Sequence, residues 1–192
     1  MKIGSVKLRV SPTAAVPLIF LSLFNPPEYV AAMLFCALLH ESGHLIAAKA
    51  VGAEVSRIDV MLFGAQIQTD GRLCGYGEDA LVCAAGAIAN FVGAVCAYFA
   101  YRVYPSAEIL FLLFANLFYA LFNMLPIRGL DGGGFAEAML LRRYEPETVW
   151  KITQGLTFFF IIAAFLVSLW VIYVSGFNFS MLFVVMYLFM NL

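Results

Sequence analysis

The chain is poor in charge: only 12% of its 192 residues are Asp, Glu, Lys or Arg, where an ordinary soluble domain carries about 25%. That scarcity excludes a disordered tail and a nucleic-acid binder, both of which need many charges. Cysteine is equally uninformative as a framework. The four cysteines (Cys36, Cys74, Cys83, Cys96) form no C-x-x-C pair and have no zinc-ligand spacing, so a secreted disulfide scaffold is excluded too. Cys36, Cys83 and Cys96 lie inside apolar stretches and read as small packing residues. There is no internal repeat and no low-complexity tract. Gly132-Gly133-Gly134 is followed by no P-loop lysine, so phosphate binding is not indicated. What is abundant is apolar: 64% of residues are hydrophobic and mean hydropathy is +0.93. A soluble globule of this size cannot cover that much apolar side chain. The composition describes a polytopic membrane protein whose surroundings are lipid and which binds no nucleic acid.

A helix needs roughly 20 apolar residues to cross about 30 Å of hydrocarbon. On that rule the spans fall at about 10–24, 28–51, 80–101, 107–125, 149–174 and 177–192. The first is short, carries Pro17 and follows Lys2, Lys7 and Arg9, as a signal peptide would. No small-residue cleavage site follows it, however, and a new apolar run begins straight after Asn25-Pro26-Pro27. We read it as a retained span. Between the second and third spans the pattern changes to polar-apolar alternation around Gly64, closed by Asp70-Gly71, which predicts a short β-hairpin over about 55–69. Phe135–Arg143 reads as a short surface helix. The predicted class is thus an all-α polytopic membrane protein of about six transmembrane helices with a short membrane-associated hairpin after the second. A single transmembrane domain is expected over 1–192, with no C-terminal regulatory domain and no PDZ domain expected.

Six spans put both termini on one side. Lys2, Lys7, Arg9, Lys49, Arg57, Arg72, Arg128, Arg142, Arg143 and Lys151 then share that side, and only Arg102 lies opposite. Such asymmetry marks the cytoplasmic face and predicts cytoplasmic termini. A five-span count without the first segment would scatter these charges.

Both histidines of the chain fall in one pentapeptide, His40-Glu41-Ser42-Gly43-His44. On a helix, positions four apart share a face, so two imidazoles can grip one metal ion. Glu41 projects to a neighbouring side, able to reach a metal-bound water without ligating the metal. Zinc brings the pKa of such a water toward about 7, and an adjacent carboxylate can take its proton during attack on a carbonyl. The pattern can also arise on soluble surface helices. Here it lies about twelve residues, or roughly 18 Å, into an apolar helix, where ionisable groups are costly and usually functional.

Two neutral histidines leave a tetrahedral site short of a protein ligand. Most acids lie in loops. Asp131 follows Asn123-Met124-Leu125-Pro126-Ile127-Arg128-Gly129-Leu130, where proline and glycine break the chain at the end of the fourth span. Irregular backbone at that depth is tolerated around a cavity or inside protein, and the topology sets Asp131 at the histidines' level. A helix-capping aspartate preceding Gly132 is the alternative.

His40-Glu41-x-x-His44 in a membrane helix, followed by Asn123-x-x-Pro126 and Leu130-Asp131-Gly132, resembles the site-2 protease family of intramembrane zinc metalloproteases. Ala85-Gly86-Ala87-Ile88-Ala89-Asn90 is similar to that family's glycine-proline…asparagine segment. Within the family, the nearest likeness is to the sporulation branch that processes a membrane-tethered pro-sigma factor. The resemblance implies one zinc ion per chain held by His40, His44 and Asp131, with Glu41 as catalytic acid/base. It further implies that Asn123 steadies the substrate or the oxyanion, with Asn90 and Pro126 in supporting places. Ala87 departs from the usual proline, and Arg128-Gly129 from a more apolar pair.

A peptide bond in a transmembrane helix is shielded by its own hydrogen bonds and must be unwound before hydrolysis. An exposed strand edge can hold the unwound segment, so Phe63, Gly64, Ala65 and Gln66 are predicted to bind substrate. The expected activity is an intramembrane zinc endopeptidase acting on a membrane-anchored protein such as a pro-sigma or anti-sigma factor. It is expected in a bacterial inner or cell membrane, with regulatory membrane proteins as further partners. A zinc carrier or regulator, or an inactive scaffold of the same fold, is the rival class. Glu41 argues against both, since a carrier needs ligands but no placed base.

Overall fold

The computed structural model describes residues 2–3, 6–10, 25–61, 64–70 and 75–175, with single helical positions at 19, 22, 23, 182, 185, 186, 188 and 189. It divides into two compact units, 1–122 and 123–192.

Among the described residues, the first unit contains a sheet and the helices Pro27–Ala50, Tyr76–Val103 and Ala107–Asn123. Strands β1 (Lys2–Ile3), β2 (Val6–Val10), β3 (Glu54–Met61) and β4 (Gly64–Asp70) pair in the order β1-β2-β3-β4. β1 and β2 are antiparallel, β2 and β3 parallel, and β3 and β4 antiparallel. The register sets Lys7 opposite Arg57 and Arg9 opposite Asp59. Across the hairpin, Ala65 pairs with Val60 and Gln66 with Asp59, with a register shift between Val55 and Arg57.

Helix α1 (Pro27–Ala50) starts on a proline that suits the first turn, carries Glu28 there and Lys49 in its last turn, as the helix dipole favours. It ends in a Schellman motif: Ala53 N–H donates to the Ala48 carbonyl at 2.9 Å and Gly52 N–H to the Lys49 carbonyl at 3.1 Å. The residue at the bend is Gly52, whose φ of 80° an L side chain rarely adopts. Helix α2 (Tyr76–Val103) packs on α1 through small residues. A methyl on Gly43 would lie 2.5 Å from the Ala85 carbonyl oxygen and 2.9 Å from the Ala89 Cβ, so these backbones approach as closely as small-residue membrane interfaces allow. Helix α3 (Ala107–Asn123) is capped by Ser106, whose hydroxyl accepts from Ile109 N–H at 3.2 Å.

The second unit carries α4 (Asp131–Leu141) and α5 (Pro146–Ser175). Between α3 and α4 the chain turns twice. Ile127 N–H donates to the Leu125 carbonyl at 2.7 Å around Pro126, and Leu130 N–H to the Ile127 carbonyl at 3.0 Å around Gly129. Gly129 has a φ of 91°, as the third position of a type II turn requires. Ile127 is fully buried there.

The interior is unusual for its lack of bulk. Buried positions are mainly alanines (Ala47, Ala48, Ala87, Ala94, Ala97, Ala120) and polar groups (His40, His44, Asn90, Asn116, Thr153, Thr157, Ser168). The large apolar side chains, among them Phe91, Phe99, Phe118, Phe159, Leu166 and Trp170, point outward. That inversion suits a lipid solvent, in which packing and hydrogen bonding, not apolar burial, hold helices together. Three helices, α1, α2 and α5, are long and apolar enough to cross a membrane. This is an integral membrane protein.

The class predicted from sequence needs correcting. Among the described residues the fold is neither all-α nor six transmembrane helices: they hold five helices, three of them long and apolar enough to span, and a sheet. α3 has 17 residues, or about 26 Å at 1.5 Å per residue, short of the hydrocarbon thickness. Residues 54–61 and 64–70, expected as a short membrane-associated hairpin, are two strands of a four-stranded sheet whose other strands are residues 2–3 and 6–10. Val10, assigned to the first span, ends β2. Otherwise the predicted spans at 10–24 and 177–192 lie almost wholly outside the described residues.

Candidate metal centre

His40 and His44 sit four residues apart on α1, 4% and 8% exposed. Their rings meet edge to face with centroids 4.7 Å apart, and their Nε2 atoms are separated by 3.1 Å. The other ring nitrogens are committed. His40 Nδ1 lies 2.7 Å from Asn90 Oδ1, and His44 Nδ1 lies 2.8 Å from the Val82 carbonyl oxygen. A carbonyl oxygen can only accept, so both Nδ1 atoms carry a proton, and in the neutral rings both Nε2 atoms present lone pairs. Two lone pairs facing each other at this distance repel unless a cation lies between them. Tetrahedral zinc, bonded to nitrogen at about 2.0–2.1 Å, sets two such ligands about 3.3 Å apart. The histidine pair fits that spacing.

The site is closed from α2 by the absence of a side chain. A methyl at Gly86 would collide with His44 Nε2 and His40 Cε1. From α3, Tyr119 packs edge-on against His40 with ring centroids 5.2 Å apart. Glu41, half-buried, follows His40 directly and is therefore turned about 100° around the helix axis.

In the second unit, Asp131 is the first residue of α4 and half-buried. The N-cap position belongs to Leu130, with no side-chain capping bond, so Asp131 does not occupy the cap considered from sequence. Its carboxylate gains from the helix dipole and offers one metal-ligand oxygen, as each histidine offers one nitrogen. The loop before it is held from two sides. Arg128 N–H donates to Thr157 Oγ1 at 3.0 Å, and that hydroxyl donates to the Thr153 carbonyl at 2.7 Å. Side chains at Gly132 and Gly133 would strike the Met124, Leu125 and Ile127 carbonyl oxygens. The glycines let α4 begin directly against the loop.

Asn123 ends α3 and Pro126 shapes the first turn of the loop, both half-buried. Asn90 is fully buried and contacts His40 directly. Gly64, Ala65 and Gln66 begin β4, at one end of the strand order; Phe63 lies outside the described residues. Sequence reasoning missed Tyr119 and the Val82 carbonyl. Tyr119 is one of nine tyrosines with nothing local to single it out, and a backbone acceptor has no signature at all.

No protein-family model matches the chain, and no curated protein matches it. Among solved structures, its fold is similar to that of a site-2 protease from Methanocaldococcus jannaschii, with a TM-score of 0.74 and 20% identity over 100% of this chain and 91% of that one. At that identity the likeness establishes the fold.

Proposed function

We propose that this chain is an intramembrane zinc metalloendopeptidase, with one zinc per chain held by His40, His44 and Asp131. The carrying observation is the histidine pair, both Nδ1 atoms anchored to acceptors and both Nε2 atoms converging at 3.1 Å. The donor chemistry of two imidazoles and one carboxylate supports it, as does the fold shared with a site-2 protease. Zinc held there would polarise the scissile carbonyl and lower the pKa of a water so that it can give up a proton and attack. Glu41 takes the proton from that water and delivers it to the amine released as the peptide C–N bond breaks. Asn123 steadies the substrate or its developing oxyanion, and Pro126 shapes the loop that presents Asp131.

The substrate is a membrane-anchored protein such as a pro-sigma or anti-sigma factor, cut in or near its transmembrane helix. Its unwound segment is held at Phe63, Gly64, Ala65 and Gln66, the last three at the start of β4. The terminal place of β4 in the strand order supports this. The pairing of Lys7 with Arg57 supports a common, cytoplasmic side for the amino terminus and the sheet. The setting is a bacterial inner or cell membrane, with regulatory membrane proteins controlling access, and the likeness to the sporulation branch rests on the motifs alone.

The test is metal content and cleavage of a helical, membrane-tethered substrate by detergent-purified protein. Wild type should carry about one zinc, largely lost in Asp131→Ala. Glu41→Gln should keep the zinc and lose about 10²–10⁴-fold in cleavage rate. Folded wild type that holds no zinc after supplementation rejects the reading. Zinc-loaded Glu41→Gln that cleaves normally rejects the role of Glu41. Normal cleavage by Gly64→Pro removes β4 from substrate binding.

A further inference from the structure

The hydrogen bond from His40 Nδ1 ends on an asparagine whose orientation is itself determined. Asn90 Nδ2 donates to the Cys36 carbonyl and to Asn116 Oδ1, each at 2.9 Å. Asn116 is oriented in turn, because its Nδ2 donates to the Leu112 carbonyl at 3.0 Å. Backbone carbonyls accept and never donate, so every link has one permitted polarity. Neither amide can flip without setting nitrogen against a donor or oxygen against an acceptor. Both side chains are fully buried, in a setting where an unpaired amide has no water to turn to. Glycine makes the relay possible: a methyl at Gly93 would lie 2.9 Å from Asn116 Oδ1 and 2.6 Å from Leu39 Cδ2.

We propose that Asn90 and Asn116 are a positioning pair, a two-amide relay from α3 through α2 to α1 that keeps the proton of His40 on Nδ1 and its Nε2 lone pair aimed at the metal. Neither touches the metal or the substrate. Asn90 acts on the ring directly and Asn116 acts through Asn90. His44 needs no such relay, because its acceptor is the Val82 carbonyl. The two ligands of one helix are therefore oriented by different means, one by side chains and one by backbone. Partners of this kind typically change metal affinity by about 10–100-fold. The inference rests on the zinc reading above.

The chain has only two histidines, so ¹⁵N-histidine labelling of the zinc-loaded full chain reports these two rings alone. Wild type should show both rings protonated on Nδ1 and ligating through Nε2. A His40 that ligates through Nδ1 overturns the proposal without any variant. Asn90→Leu should weaken zinc binding, measured by chelator competition, about 10–100-fold and displace the His40 resonances while His44 stays put. Asn116→Leu should move the same resonances with a smaller loss of affinity. Asn90→Asp keeps an acceptor for His40 but sets an oxygen against the Cys36 carbonyl and Asn116 Oδ1, so it too should lower zinc affinity and move the His40 resonances. Wild-type affinity and spectra in both leucine variants overturn the relay, as does a folded Asn90→Asp indistinguishable from wild type. Failure of wild type to bind zinc is a different result and rejects the metal centre itself.

Discussion

Helices α1 and α5 are both long, apolar and interrupted by buried polar residues, yet those residues are satisfied in opposite ways. On α5, Thr153 donates to the Trp150 carbonyl, Thr157 to Thr153 and Ser168 to Phe165, all within the helix. On α1, His40 and His44 reach across to Asn90 and to the Val82 carbonyl of α2. A hydroxyl that bonds back to its own turn is tolerated at membrane depth and marks nothing further. An imidazole cannot do this, so a neighbouring helix must supply its partner. Once Nδ1 is committed, Nε2 is directed inward. Interhelical satisfaction is what separates a site from a polar residue that merely fits. Thr157 stands between the two cases, since it also accepts from Arg128 N–H.

The sharpest way to break the contrast is Gly86→Ala. The added methyl strikes both histidines, so zinc affinity should drop by at least about tenfold, with overpacking costing about 1–3 kcal/mol. Chelator competition and unfolding in detergent read the two effects separately. Thr157→Val should come next. It leaves Arg128 N–H without its acceptor and should cost about 1–3 kcal/mol of stability, with slower cleavage because the loop leading to Asp131 loses an anchor. Ser168→Ala should be the mildest. Among the described residues its hydroxyl bonds within its own helix, so the loss should stay below about 1 kcal/mol with zinc content unchanged. If Ser168→Ala proved as harmful as Gly86→Ala, the distinction drawn between the helices would fail.

Legibility followed sequence distance. α1, α2 and α5 occupy 27–50, 76–103 and 146–175, where the reading set spans at 28–51, 80–101 and 149–174, because twenty apolar residues in a row are a local property. His40, Glu41 and His44 were legible for the same reason, as five consecutive residues on one helix. The pairing of β2 with β3 was not, because Lys7 and Arg57 are fifty residues apart and parallel pairing leaves no local mark. Residues 2–10 were therefore taken for a basic leader to a span. The chain's length in apolar residues also overstated α3, whose helix closes at Asn123 before the proline turn.

By itself the sequence determined a lipid environment, the helices that can cross it, and a His-Glu-His group whose spacing suits a metal and a base. These follow from composition and from the helical repeat, which act over a few turns. Only the tertiary structure decided which nitrogen of each imidazole faces inward. That depends on Asn90, Asn116 and the Val82 carbonyl, brought to α1 from α2 and α3 by close packing over Gly43, Gly86 and Gly93. A tautomer is set by its hydrogen-bond partner, and here the partners are 50 and 38 residues away in the chain.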